Sequence, residues 1–156
     1  MRSSLLSSIW LSVVALTLLA GCSRSPAPEV VSDGEARRLL VDRSWIDHNP
    51  RDKADRIYVY RFTPSMGGGV FQDRTLFVGS FELFFFAVEG STIRFLFPQN
   101  GDKREATYRI EKLPRTGRDD FDLRLTLTNS PRGPAVYYGW SDATRASGAN
   151  VLPPLP

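Results

Sequence analysis

The stretch 91-STIRFLFPQNGDKREATYRIEKL-113 decides the fold class of this chain. In its first part Ile93, Phe95 and Phe97 alternate with Thr92, Arg94 and Leu96; in its last part Ala106, Tyr108 and Ile110 alternate with Thr107, Arg109 and Glu111. Successive side chains of a strand point to opposite faces, so each part reads as a strand with one buried face. Between them Asn100-Gly101 supplies residues that tolerate positive φ, as a tight hairpin turn requires. Two antiparallel strands are therefore expected here.

The same period spreads in both directions. Upstream, 56-RIYVYRF-62 sets Tyr58, Tyr60 and Phe62 against Ile57, Val59 and Arg61, and 82-ELFFFAVEG-90 is apolar on both faces through Phe84, Phe85 and Phe86. Downstream, 121-FDLRLTLTN-129 alternates Phe121, Leu123, Leu125 and Leu127 with Asp122, Arg124, Thr126 and Thr128. After the turn 130-SPRGP-134 comes 135-AVYYGW-140, with Val136, Tyr138 and Trp140 on one side. Adding 43-RSWID-47 and a segment near 75-TLFVGSF-81 gives about eight strands with short links. An all-β domain over residues 34–140 follows, a small antiparallel meander closed into a barrel or, alternatively, folded as a β-sandwich. One short helix precedes it, with Ser32 or Asp33 as N-cap, Glu35 in the first turn and an end near Asp42.

The order of these motifs resembles the lipocalin-like domains of bacterial lipoproteins, over residues 36–140. The elements that carry the likeness are Trp45 after the helix, the Tyr60-x-Phe62 strand, the glycine-rich turn with its VGSF segment, Ile93-x-Phe95, Tyr108-x-Ile110 and the Leu123 to Leu127 alternation. The resemblance implies an up-and-down barrel whose interior is either filled by side chains or holds one apolar ligand. Arg43 stands where the family's first-strand pattern places glycine.

The chain's only cysteine lies in 16-LTLLAGCSRS-25. Met1-Arg2 and a charge-free run, 9-IWLSVVALTLLA-20, form a leader too short for the roughly 20 apolar residues of a membrane-spanning helix. Leu19-Ala20-Gly21-Cys22 resembles the lipobox of bacterial lipoproteins. This implies a signal peptide over residues 1–21, cleavage between Gly21 and Cys22, a thioether-linked diacylglycerol on Cys22 and acylation of the new amino group. Two or three acyl chains hold a protein stably where one holds it marginally. The expected address is the cell envelope, with the lipid bilayer as partner through Cys22; Ser23 follows the outer-membrane sorting pattern, facing the periplasm.

Residues 22–33 then read as a lipidated flexible tether, of which 23-SRSPAPEVVSD-33 reaches about 35 to 40 Å when extended. Residues 141–156, small, polar and proline-ended, read as a disordered tail.

Composition narrows the chemistry. The formal charge is +3, and loss of Arg2 with the leader leaves +2; acids and bases are interspersed, without the basic stripe that nucleic-acid binding requires. With Cys22 lipidated no thiolate remains, and His48 is the only histidine, so neither a metal cluster nor a cofactor is expected. No Gly-x-Ser-x-Gly elbow occurs and 65-SMGGGVF-71 lacks a following Lys-Ser/Thr, so it reads as a hairpin loop and the chain as no enzyme. The acidic stretch 118-RDDFD-122 reads as a solvated loop.

Two functions remain open. In the first, the barrel binds an apolar or amphiphilic small molecule, with Tyr58, Tyr60, Phe62 and Phe85 as walls and Arg94 at a head group. In the second, the same rings fill a ligand-free core and the protein is a structural or protein-interaction module of the envelope.

Overall fold

The computed structural model describes residues 26–115, 117 and 120–146. The expected signal peptide, its expected cleavage site at Gly21 and Cys22, and residues 147–156 of the expected tail lie outside these.

Among the described residues nine strands and two short α-helices, with one 3₁₀ turn at Pro64–Met66, make the fold: β1 Glu29–Val30, α1 Asp33–Leu40, β2 Ser44–Ile46, β3 Ile57–Thr63, β4 Gly68–Arg74, β5 Gly79–Glu89, β6 Thr92–Phe97, β7 Asp102–Lys112, β8 Leu123–Thr128, β9 Val136–Gly139 and α2 Asp142–Ala146. Strands β2 to β9 pair antiparallel in sequence order, and Ile46 opposite Tyr138 joins β9 back to β2. The sheet is thus an eight-stranded closed meander barrel, the expected class, in which the first and last strands of the meander pair with each other.

Strand β1 is the ninth. The first half of β7 pairs with β6, and where β6 stops, Glu29 and Val30 take the same edge opposite Lys112 and Glu111. Val31 extends this by donating its N–H to the Ile110 carbonyl at 3.2 Å, and it is buried. The expected tether is therefore fold from Glu29 onward: Val30-Val31 gives two consecutive β-branched residues to an unfilled backbone edge, which propensity in a polar stretch does not advertise. Likewise Asp142–Ala146, read as part of the tail, is helical and buries Thr144.

Strand β4 is a second difference. The glycine-rich stretch read as a loop is strand from Gly68, and TLFV, read as strand, is the β4–β5 turn. A Cβ on Gly68 would collide with the Phe84 carbonyl oxygen and one on Gly69 with the Phe84 ring, so these glycines mark close approach of two strands. Phe84 thereby lies across β4, and β5 runs unbroken for eleven residues.

Helix α1 buries Ala36 and Leu40 against the barrel, with Asp33 and Glu35 in its first turn where the helix dipole favours acids. It ends because Val41 turns extended and bridges Phe62, and Asp42 then takes a left-handed φ of 56°. Trp45, fully buried at this end, donates its indole N–H to the Leu40 carbonyl at 2.9 Å. The close packing that Arg43 does not permit just before β2 comes from β9: Gly139 lies under the Trp45 ring, where a Cβ would sit 3.2 Å from it. Arg43 is buried and donates from Nη1 to the Trp140 carbonyl at 2.8 Å.

Candidate functional site

Burial separates the five residues expected to line a site. Tyr60 and Phe62 on β3 are fully buried inside the barrel. The Tyr60 ring touches those of Phe62, Phe71, Phe84, Phe95 and Tyr137 at centroid separations of 4.8 to 6.2 Å. Such stacked, tilted and edge-on pairs each add roughly 0.5 to 1.5 kcal/mol beyond burial. Tyr58 lies half-buried towards one end, stacked on Phe71. Phe85 and Arg94 point the other way, onto the outside. The five do not converge: three belong to the core and its margin, two to the outer wall.

One mouth of the barrel is closed by the β8–β9 turn. The hydroxyls of Tyr60, Tyr137 and Ser130 all donate to the Arg132 carbonyl, at 3.2, 3.1 and 2.7 Å. The Arg132 guanidinium sits 4.1 Å above the Phe97 ring and donates to Glu82 of β5 at 2.5 Å and Asp102 of β7 at 3.4 Å. Burial pushes the Tyr60 and Tyr137 hydroxyls well above the ordinary tyrosine value, so both stay protonated donors. A loop that read only as a turn is thus a plug; its signal in the sequence is one arginine between two prolines, too little to single it out.

No family model, curated protein or solved structure matches this chain. The site therefore has to be read from its own chemistry.

That chemistry lies on the outer wall of β4, β5 and β6. Among the described residues the large apolar side chains facing solvent are, apart from Val30, all here: Phe81, Leu83 and Phe85 along β5, Leu76, Phe77 and Val78 at the β4–β5 turn, and Met66 beside β4. Phe77 is 72% exposed and Phe81 67%. Cross-strand registers set these in rows, Arg61 beside Val70 beside Leu83, and next Phe85 beside Leu96 beside Lys103. A depression of about 530 Å³ opens around the second row, with Ala87, Arg94 and Glu105 on its rim. A smaller apolar one of about 200 Å³ lies between Met66, Val70, Leu83 and Pro98. Phe85 belongs to both.

Charges frame this wall. Arg94 holds Glu89 at 2.6 Å and Glu105 at 3.0 Å. Arg61, Arg74, Lys53 and Lys103 have no acidic partner among the described residues; Lys53 is placed at the β4–β5 turn by its carbonyl, which accepts the Leu76 N–H at 3.2 Å. Elsewhere carboxylates are held by arginines: Arg124 keeps buried Glu111 below the usual carboxylate range, Arg56 does so for Asp73, and Arg51 for Asp55. His48 is one of these satisfied groups, 3.0 Å from Asp47 and 3.2 Å from Asp55. Among the described residues no three acids, histidines or cysteines gather as metal ligands, and no helix is long and apolar enough to cross a membrane.

Proposed function

We propose that this chain is a lipid-anchored protein of the cell envelope, held through acylated Cys22 in the outer membrane and facing the periplasm, whose filled barrel is a rigid interaction module rather than a carrier or an enzyme. The observation that carries the reading is the division of its aromatic residues. Tyr60, Phe62, Phe84, Phe95 and Tyr137 occupy one another's surfaces inside, where a ligand would have to sit, while Phe81, Leu83 and Phe85 stand in solvent. A core packed this way leaves recognition to the outside, and a contiguous exposed apolar face marks a contact surface.

A second reading rests on the depression at Phe85, Leu96, Arg94 and Lys103: an apolar floor with cations at its edge suits one amphiphile bearing an anionic head group, bound outside the barrel.

Two experiments test these. Cell fractionation of the wild-type chain and of Cys22→Ser reads the anchor: the wild type is expected with the outer membrane and the variant free of it. Native mass spectrometry of the detergent-released mature chain, after exposure to an envelope lipid extract, reads the barrel. The bare acylated mass is expected. A retained ligand that Phe62→Leu abolishes overturns the filled interior, and one abolished by Lys103→Ala establishes the second reading.

A further inference from the structure

We infer that the outer wall of β4, β5 and β6 docks on the surface of an anionic bilayer, the same membrane that holds Cys22; the inference rests on the anchor proposed above.

The length of chain outside the barrel sets the first constraint. Because β1 fixes Glu29 to β7, seven steps of chain separate Cys22 from the fold, no more than about 25 Å when fully extended. The domain itself is about 35 Å across for its length. A tether this short holds the barrel within about 25 Å of the bilayer, which keeps its surface at a high local concentration of head groups. Strand β1 also continues the β6 edge of β7, so the chain leaves the barrel beside Lys112, at the end of β7 that runs beyond β6. A barrel laid on its β4, β5 and β6 wall sets the apolar row of β5 against the surface.

Charge selects the occupant. The apolar row Phe81, Leu83 and Phe85 and the turn Leu76, Phe77 and Val78 are bordered by Arg61, Arg74, Lys53 and Lys103. On the strands of this wall Glu89 and Glu105 are both engaged by Arg94, and near the β4–β5 turn Asp55 is held by Arg51 while Asp52 accepts the Ala54 N–H. Exposed aromatic rings within a border of unpaired cations match the boundary between head groups and acyl chains of an anionic leaflet. A second copy of the same wall would set these cations against each other, which disfavours a symmetric dimer.

The test uses the mature acylated chain, residues 22–156, reconstituted in vesicles of phosphatidylcholine alone or mixed with phosphatidylglycerol, each carrying brominated acyl chains that quench tryptophan. Phe81→Trp places the reporter on the wall and Thr128→Trp places it on exposed β8; Trp45 and Trp140 are common to both. The expected result is quenching of Phe81→Trp about twofold or more above Thr128→Trp in the phosphatidylglycerol vesicles, and a smaller difference in phosphatidylcholine or at high salt. Equal quenching at the two sites in vesicles that carry the protein overturns the docking and directs the wall to a protein partner. Failure of the wild-type chain to float with either vesicle overturns the anchor itself, and the inference with it.

Discussion

The ring of Tyr60 meets the ring of Tyr137 edge-on at 5.2 Å inside the barrel, and the two hydroxyls reach the same carbonyl, that of Arg132. Ring packing and the closure of one mouth are thus the work of the same side chains. Tyr60→Phe keeps the packing and loses one buried hydrogen bond, an expected cost of about 1 kcal/mol in chemical unfolding; Tyr60→Ala leaves a cavity and is expected to cost about 3 to 5 kcal/mol.

Tyr108 provides the contrast. It is buried, and its hydroxyl has no hydrogen-bond partner among the described residues. Tyr108→Phe is therefore expected to be neutral or stabilising by up to about 1 kcal/mol in the same measurement, since it removes an unpaired polar atom and no contact.

Two glycines, one in β4 and one in α1, predict opposite signs for one substitution. Gly69→Ala forces a methyl into the Phe84 ring and is expected to destabilise by at least about 1 to 3 kcal/mol. Gly34→Ala, in α1 with nothing near its added methyl, is expected to stabilise by about 0.5 to 1 kcal/mol. Thermal unfolding of the two variants side by side reads both.

Arg132 predicts a local effect. Arg132→Met keeps a side chain over Phe97 but releases Glu82 and Asp102, so amide exchange in residues 130–135 is expected to quicken while β3 and β7 stay protected. Uniform loss of protection throughout the barrel would show that the plug supports the whole fold.

Acid should weaken the fold through a defined group. Arg124 donates to Glu111 at 2.8 Å and holds its carboxyl below the ordinary 4.5, so the folded state prefers the ionised form. Its stabilising contribution is present above that unfolded value and is lost as pH falls through the lower folded one. Asp73, lowered by Arg56, acts in the same direction. Glu111→Gln is expected to flatten the acid side of the stability curve while lowering stability at neutral pH.

Much of the barrel is legible in the sequence, because a strand half-buried in a closed sheet has only one pattern available. The Ile93 to Phe97 and Leu123 to Leu127 alternations place their apolar faces inside, and Asn100-Gly101 makes the turn, with Gly101 at a φ of 71°. Errors fall where position, not pattern, decides. Gly68 and Gly69 look like loop residues unless Phe84 is known to lie across them. The β4–β5 turn is apolar, which disguises it as strand, and Glu29-Val30 becomes strand only because β7 outruns β6. The candidate site suffers likewise: periodicity assigns Tyr60 and Phe85 each to a face, and it takes the register of neighbouring strands to show that these faces are opposite sides of the wall.

In the anchored chain proposed above, strand β1 would also make the leash adjustable. Two residue pairs fasten it to β7, and a pull arriving from Cys22 would act on the first of them, Glu29 with Lys112, before the rest. Peeling it away would pay out chain as far as α1 and lengthen the reach of the anchored domain by about 14 Å, with the eight-stranded barrel still closed behind it. Under load this junction would give way as a short separate step, ahead of barrel rupture, so that the strand serves the molecule as a slip-knot.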